Sequence, residues 1–196
     1  MKQIFASIII IFAATAMAFK PTATNTLEVD TNASIVVWKG YKVTGEHTGT
    51  VKIKKGNITL TDGKLTGGSV EIDMTSIKDT DMEGEYAGKL EGHLKSEDFF
   101  GTAHFPTSKF EITRVIAQDT KGNYKVIGNM TIKETTKEVK FFANLFQNGS
   151  KMTFKGKVTI DRSEYNVKYG SGSFFDGLGD KTIYDEFDLD VTLVTK

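Results

Sequence analysis

The sequence contains no cysteine. Disulfides, thiolate nucleophiles and cysteine-ligated zinc or iron–sulfur centres are therefore excluded, and stability has to come from a packed core. Proline is also scarce, with two residues against nineteen glycines, and there are no long Ala/Leu/Glu/Lys blocks. Collagen and coiled-coil architectures are excluded, and the composition leans toward strands and tight turns. Charge of one sign is missing as well: Lys+Arg number 25 and Asp+Glu 25. A nucleic-acid binder needs a basic excess to neutralise phosphates, so none is expected here. What is present, 39% hydrophobic and 11% aromatic residues, is too apolar for a disordered chain. One globular domain is expected.

The first eighteen residues stand apart from that domain. Lys2 supplies a positive start, Ile4 to Ala14 an apolar run too short to span a bilayer, and Ala16-Met17-Ala18 a small-residue cleavage site. This pattern predicts a secretory signal peptide over residues 1–18, leaving a mature domain over 19–196. No cysteine follows the apolar run, so a lipoprotein is not expected. The localisation this implies is periplasmic or secreted.

Within the mature chain the dominant signal is alternation, the period of a strand with one buried face. Val70, Ile72 and Met74 alternate with Glu71 and Asp73, and Tyr124, Val126, Gly128, Met130 and Ile132 with polar neighbours. Met152, Phe154, Gly156, Val158 and Ile160 form a third such face, and Phe187, Leu189, Val191 and Leu193 a fourth. Weaker strand patterns cover residues 34–42, 48–54, 57–60, 109–115 and 139–146. Between them lie turn pairs: Lys55-Gly56, Asp62-Gly63, Gly122-Asn123 and Asn148-Gly149. Strands joined so closely run antiparallel, which leaves a sandwich or an up-and-down barrel.

One segment has a different period. Tyr86, Leu90 and Leu94 recur at helical spacing, Asp81, Glu83 and Glu85 precede them, and Lys95 follows, as the helix dipole favours. A short helix is predicted over residues 83–96. The expected fold is all-β and mainly antiparallel, an extended eight-stranded barrel or a sandwich with one short helix; in a barrel the dimensions follow from strand length. A strand of about ten residues rises roughly 33 Å, and a tilt near 40° leaves a wall of roughly 25 Å. The inward faces are almost wholly apolar, so a ligand entering such a barrel should be an apolar chain.

Candidate chemistry is sparse. His47, His93 and His104 have no two-histidine spacing on one element, and no serine sits in a nucleophile elbow. Asp188 and Asp190 share a strand face read as a solvated edge. Asp79-Thr80-Asp81-Met82-Glu83-Gly84 imitates the start of an EF-hand loop, but the twelfth position holds Leu90 where a bidentate carboxylate is required. It reads better as an acidic entry into the helix. No catalytic residue, metal or cofactor is expected. Residues 166–181 form a long loop with Tyr169, Phe174, Phe175 and Leu178 among four glycines. It is suited either to plug a barrel end or to gate it.

Several pieces together resemble the YceI-like family of exported, lipocalin-like polyisoprenoid-binding proteins. They are Trp38, Gly49-Thr50-Val51, Gly92-His93-Leu94-Lys95-Ser96-Glu97-Asp98-Phe99-Phe100 with Pro106 and Phe110, Gly128-Asn129-Met130-Thr131-Ile132-Lys133 with Thr136, and Asp161-Arg162-Ser163-Glu164-Tyr165. The run from Gly92 to Phe100 is the specific one. The resemblance implies a lipocalin-like barrel enclosing a polyisoprenoid or isoprenoid-quinone chain, for carriage, storage or stress protection, without catalysis. The alternative is an envelope barrel whose core is filled by its own side chains. Alternation and motif together assign the ligand lining to Trp38, Ile72, Met74, Phe99, Phe100, Phe110, Met130, Phe141, Phe154 and Phe187, with Phe174 and Phe175 over the mouth. The partner expected is an isoprenoid or other long-chain lipid, and transient membrane contact and a homodimer are compatible with that role.

Overall fold

The computed structural model describes residues 22–196; the expected signal peptide lies outside the described residues. The elements run β1 (Thr24–Glu28), β2 (Ile35–Lys42), β3 (Gly45–Thr61), β4 (Lys64–Asp79), α1 (Gly84–Lys95), β5 (Thr107–Ala117), β6 (Asn123–Ile132), β7 (Thr135–Asn148), β8 (Lys151–Asp161) and β9 (Ile183–Val194). Strands β2 to β9 close into an antiparallel ring in the order β3-β2-β9-β8-β7-β6-β5-β4, with β4 pairing back onto β3. Closure leaves the ring without a free edge, the usual solution to the aggregation hazard of an open sheet. Of the sandwich and the barrel that alternation left open, the eight-stranded barrel implied by the family resemblance is the one found.

The four alternating faces point inward. Ile72, Met74, Val126, Met130, Ile132, Phe154, Val158, Ile160, Leu189 and Leu193 are all buried in one continuous core. Outward positions of β8 and β9 carry Lys155, Lys157, Asp188 and Asp190, so the barrel's outside is charged.

The structure departs from expectation in four boundaries and at one side chain. The two strands expected at 48–54 and 57–60 are one strand, β3, because Lys55-Gly56 is not a turn. The β3–β4 register shifts between Ile53 and Lys55, and pairing then continues through Gly56 to Thr61. Such a bulge bends a long strand without ending it. β3 is long enough to serve two neighbours: its first half pairs with β2, and its second half with β1, a strand the alternation did not reveal. β7 begins at Thr135 rather than 139, after a tight Lys133-Glu134 turn in which Lys133 takes a positive φ of 55°. The β7–β8 loop is Gly149-Ser150, one residue later than the Asn148-Gly149 pair, and only Gly149 has positive φ there. Asp188 is not a solvated edge residue, because a closed ring has no edge. Its side chain is 13% exposed, and it accepts hydrogen bonds from Tyr41 Oη at 2.9 Å and Thr159 Oγ1 at 2.6 Å beside an ion pair with Lys157. These partners, the Thr159 hydroxyl foremost, hold its carboxyl below the usual range.

Helix α1 forms where the 3.6-residue period placed it, crossing from β4 to β5 at one barrel end. Glu85 in its first turn and His93 and Lys95 in its last suit the dipole. Its apolar stripe is narrower than expected: Leu94 packs on the core and Leu90 faces the interior, but Tyr86 is 74% exposed. No described helix is long and apolar enough to cross a membrane.

Candidate functional site: an apolar cavity under the helix

The barrel interior is not filled at the helix end. A cavity of about 240 Å³ lies there, walled by Trp38, Val51, Ile72, Met74, Ile77, Phe99, Phe100, Met130, Ile132, Phe187 and Leu189, with Leu90 and Leu94 of α1 above them. A smaller chamber of about 60 Å³ continues toward the other end, between Phe110, Phe141, Phe154, Val158 and Ile160, and shares Ile72, Met130 and Leu189 with the first.

Two aromatic groups organise these spaces. Under the helix, His93, Phe99, Phe100 and Phe187 meet edge to face, with ring centroids 5.6, 4.9 and 6.3 Å apart along the series. In the lower chamber Phe110, Phe141 and Phe154 are linked at 5.5 and 6.4 Å. Edge-to-face rings at these spacings are the favoured arrangement. The wall makes room for them with glycine: a Cβ at Gly128 would lie 2.5 Å from both the Phe110 ring and the Glu111 carbonyl. The alternation that placed Gly128 on an inward face thus marked a seat for the ring of the adjoining strand.

Of the twelve residues assigned to the ligand, Trp38, Ile72, Met74, Phe99, Phe100, Met130 and Phe187 line the larger cavity, and Phe110, Phe141 and Phe154 the smaller. Phe174 and Phe175 do not belong to either wall; they are 42% and 49% exposed on the loop that follows β8. The larger cavity reaches the surface elsewhere, where Gly40, Tyr41 and Lys42 of β2, Ile183 and Tyr184 of β9, and Leu90 and His93 of α1 form its rim. Tyr169 alone of the loop aromatics approaches it, stacking edge-on against His93 at 4.3 Å.

Three polar arrangements in or beside the wall were not expected from the sequence. Arg162, 2% exposed, donates to the carbonyls of Tyr184 (3.1 Å), Val167 (2.8 Å) and Ile183 (2.9 Å), and its guanidinium stands 5.3 Å over the Phe99 ring. It pins the start of the 166–181 loop to β9. Second, Trp38 Nε1, His93 Nε2 and Ser108 Oγ are buried in the wall without a hydrogen-bond partner. Burial lowers the His93 pKa and so favours its neutral form. Third, His47 on the rim stands beside Asp79 and Asp81, and burial raises the Asp79 carboxyl. The sequence singled out several of these residues, Asp79 and Asp81 in an EF-hand-like run and Trp38, His93 and Arg162 in the motif pieces, but not their partners, which come from distant strands.

Comparisons agree with this fold. A UPF0312 protein of Shewanella denitrificans is 26% identical over 123 residues, and another of Photorhabdus laumondii 28% over 130. These matches cover 60% and 63% of the chain and 62% and 65% of the relatives, so the chain spans less than two thirds of the curated relatives' length. Among solved structures, Burkholderia cenocepacia BcnA aligns with a TM-score of 0.71 at 23% identity, covering 86% of this chain and 99% of that one. A polyisoprenoid binding domain from Saccharophagus degradans aligns at 0.65 and 14% identity, covering 90% and 99%. Both likenesses establish the fold. The YceI-like domain model matches residues 27–195, the whole barrel from the end of β1 to the residue after β9, and on that match the chain belongs to the YceI-like family.

Proposed function

We propose that this protein is an exported binding protein that holds the chain of an isoprenoid or other long lipid inside its barrel, for carriage, storage or protection, without itself catalysing a reaction. The observation that carries the reading is the apolar cavity under α1, continued by the Phe110–Phe141–Phe154 chamber. Together the two spaces sit at the small end of the ~300–1,000 Å³ typical of ligand pockets. Ile72, Met130 and Leu189 line both spaces, and shifts of these side chains would join them into one channel. Burying about ten methylenes at ~0.8 kcal/mol each supplies on the order of 8 kcal/mol, enough for roughly micromolar binding before entropic costs. The Saccharophagus domain of the same fold is described as polyisoprenoid binding, which supports the choice of ligand. Entry is assigned to the rim between α1 and the β2 and β9 ends, with the Phe174–Phe175 loop as a neighbouring flap.

Native mass spectrometry of the protein purified without delipidation tests this reading. A mass increment matching an extractable long-chain lipid is expected; unliganded protein alone, with no lipid in the extract, overturns it.

A second reading, a barrel packed by its own side chains, draws on the narrowness of the lower chamber. It requires Phe154→Ala to cost the full ~3–5 kcal/mol of a buried Phe truncation. A lipid channel lets the loss fall below that range when ligand is present, with Val158→Ala as the reference in urea unfolding.

A further inference from the structure

Beside the cavity, three elements bring together polar side chains of which only His47 reaches its lining. His47 lies near the start of β3, Asp79 is the last residue of β4, and Asp81 follows in the turn before α1. Their ligand atoms all lie within 4.8 Å of one another.

The backbone holds this arrangement in place. Gly49 pairs with Asp79 in the β3–β4 register, and Thr80 donates from its N–H (3.0 Å) and its hydroxyl (3.2 Å) to the Thr48 carbonyl. Asp79 Oδ1 accepts from the Met82 N–H at 2.8 Å, and Asp81 Oδ2 from the Thr48 N–H at 3.3 Å. The Asp79 N–H is taken up by Glu91 Oε1 of α1 at 3.1 Å.

Two atoms are left over. Asp79 is only 3% exposed, yet its Oδ2 has no hydrogen-bond partner, and His47 Nδ1 is likewise buried and unpartnered. His47 Nδ1 faces Asp81 Oδ2 at 3.4 Å, longer than a good N–H···O hydrogen bond and a normal separation for two ligands of one small cation. Among the described residues neither aspartate has a Lys or Arg ion-pair partner. An uncompensated buried carboxylate is costly, and buried charges are ordinarily paired or bound to metal.

We infer that His47, Asp79 and Asp81 form a binding site for one divalent first-row transition cation such as Zn²⁺. One imidazole nitrogen with two carboxylates is borderline ligand chemistry that suits Zn²⁺ or Mn²⁺, with expected bonds of about 2.0–2.2 Å, better than Ca²⁺, which takes six to eight oxygens. Three protein ligands leave coordination positions open, and His47 belongs to the cavity rim. The site stands on its own geometry and does not depend on lipid being bound.

The test is calorimetric titration of ZnCl₂ into the chelator-treated full chain, beside His47→Gln, Asp79→Asn and, as a control for other histidines, His104→Gln. His104 pairs separately with Glu97 at 2.9 Å on the surface. One equivalent should bind to the parent chain and raise its melting temperature. Affinity should fall by at least roughly 100-fold in the first two variants, beyond what losing a supporting hydrogen bond of a ligand costs, and stay unchanged in the third. Circular dichroism establishes that each variant is folded, and Asn at position 79 keeps the shape while removing the buried charge. Absence of saturable binding overturns the inference, as does binding that survives His47→Gln and Asp79→Asn. Equal affinity for CaCl₂, unaffected by His47→Gln, overturns the transition-metal assignment. Lipid retention by native mass spectrometry in the same variants keeps failure here separate from failure of the lipid reading.

Discussion

The indole of Trp38 lies across Gly49, its direct partner in the β2–β3 register, so that any side chain at position 49 would overlap both the ring and the Lys78 carbonyl. Trp38 is also the one tryptophan in the chain and part of the cavity wall. Gly49→Ala should therefore displace the indole and destabilise the fold by about 1–3 kcal/mol through overpacking. Urea unfolding followed by tryptophan emission reads both effects at once. A native-like emission maximum with unchanged midpoint would mean that the ring has another seat.

Arg162 should be the costliest single side chain to remove. Its three carbonyl acceptors and the ion-pair contact with Asp185 at 3.3 Å would all lose their donor inside the protein. Arg162→Met is expected to lose about 3–5 kcal/mol, and Arg162→Lys less, since it keeps the charge but not the planar fork. Chemical denaturation of the two variants orders them; equal and small losses would contradict the pinning role.

Tyr165 behaves oppositely. Its hydroxyl is buried without a partner, and burial pushes its pKa up to about 12. Tyr165→Phe should leave stability at neutral pH unchanged or raise it by about 1 kcal/mol, because the lost group makes no bond. In the parent chain the unfolded phenol ionises from about pH 10 while the folded one stays neutral, so stability falls between pH 10 and about 12. Unfolding midpoints measured across that range should fall less steeply in the variant.

His93 sets an acid-side dependence. Burial lowers its pKa in the folded state, so below about pH 6.5 the unfolded chain takes up a proton that the folded chain resists. This contribution leaves stability whole above that pH and erodes it as the pH falls. His93→Leu should shrink the difference between urea midpoints at pH 7.5 and pH 5; an unchanged difference would place the dependence on other groups.

The 166–181 loop can be probed without strain at Gly172, where an added Cβ meets only the Thr182 methyl at 3.9 Å, whereas Gly177 sits at a φ of +70°. If the loop acts as a flap, Gly172→Ala should slow loading and release of a fluorescent isoprenoid while leaving equilibrium affinity nearly unchanged. Wild-type rates would make the loop a fixed plug.

The strand faces and the helix were legible because each is a local period. Ile72 and Met74, or Phe154 and Val158, point the same way whatever the strand pairs with, and the Leu90–Leu94 spacing needs only one helix turn. Ends were less legible. Lys55-Gly56 has turn chemistry, yet β4 continues alongside it and supplies the hydrogen bonds that keep the chain extended. Asp188 looks solvated in sequence, but Tyr41, Thr159 and Lys157 gather on it once β2, β8 and β9 lie side by side.

Thus the sequence by itself determined an all-β chain with apolar inward faces, one short helix and the aromatic complement of the interior, since two-residue and 3.6-residue periods act within a single element. Only the tertiary structure decided where that interior stays open, that Phe174 and Phe175 fall outside its wall, that Arg162 is buried over Phe99, and that His47 meets Asp79 and Asp81. Each of these depends on register between strands far apart in the chain, and a one-residue slip in any pairing would turn the same side chains to the opposite face.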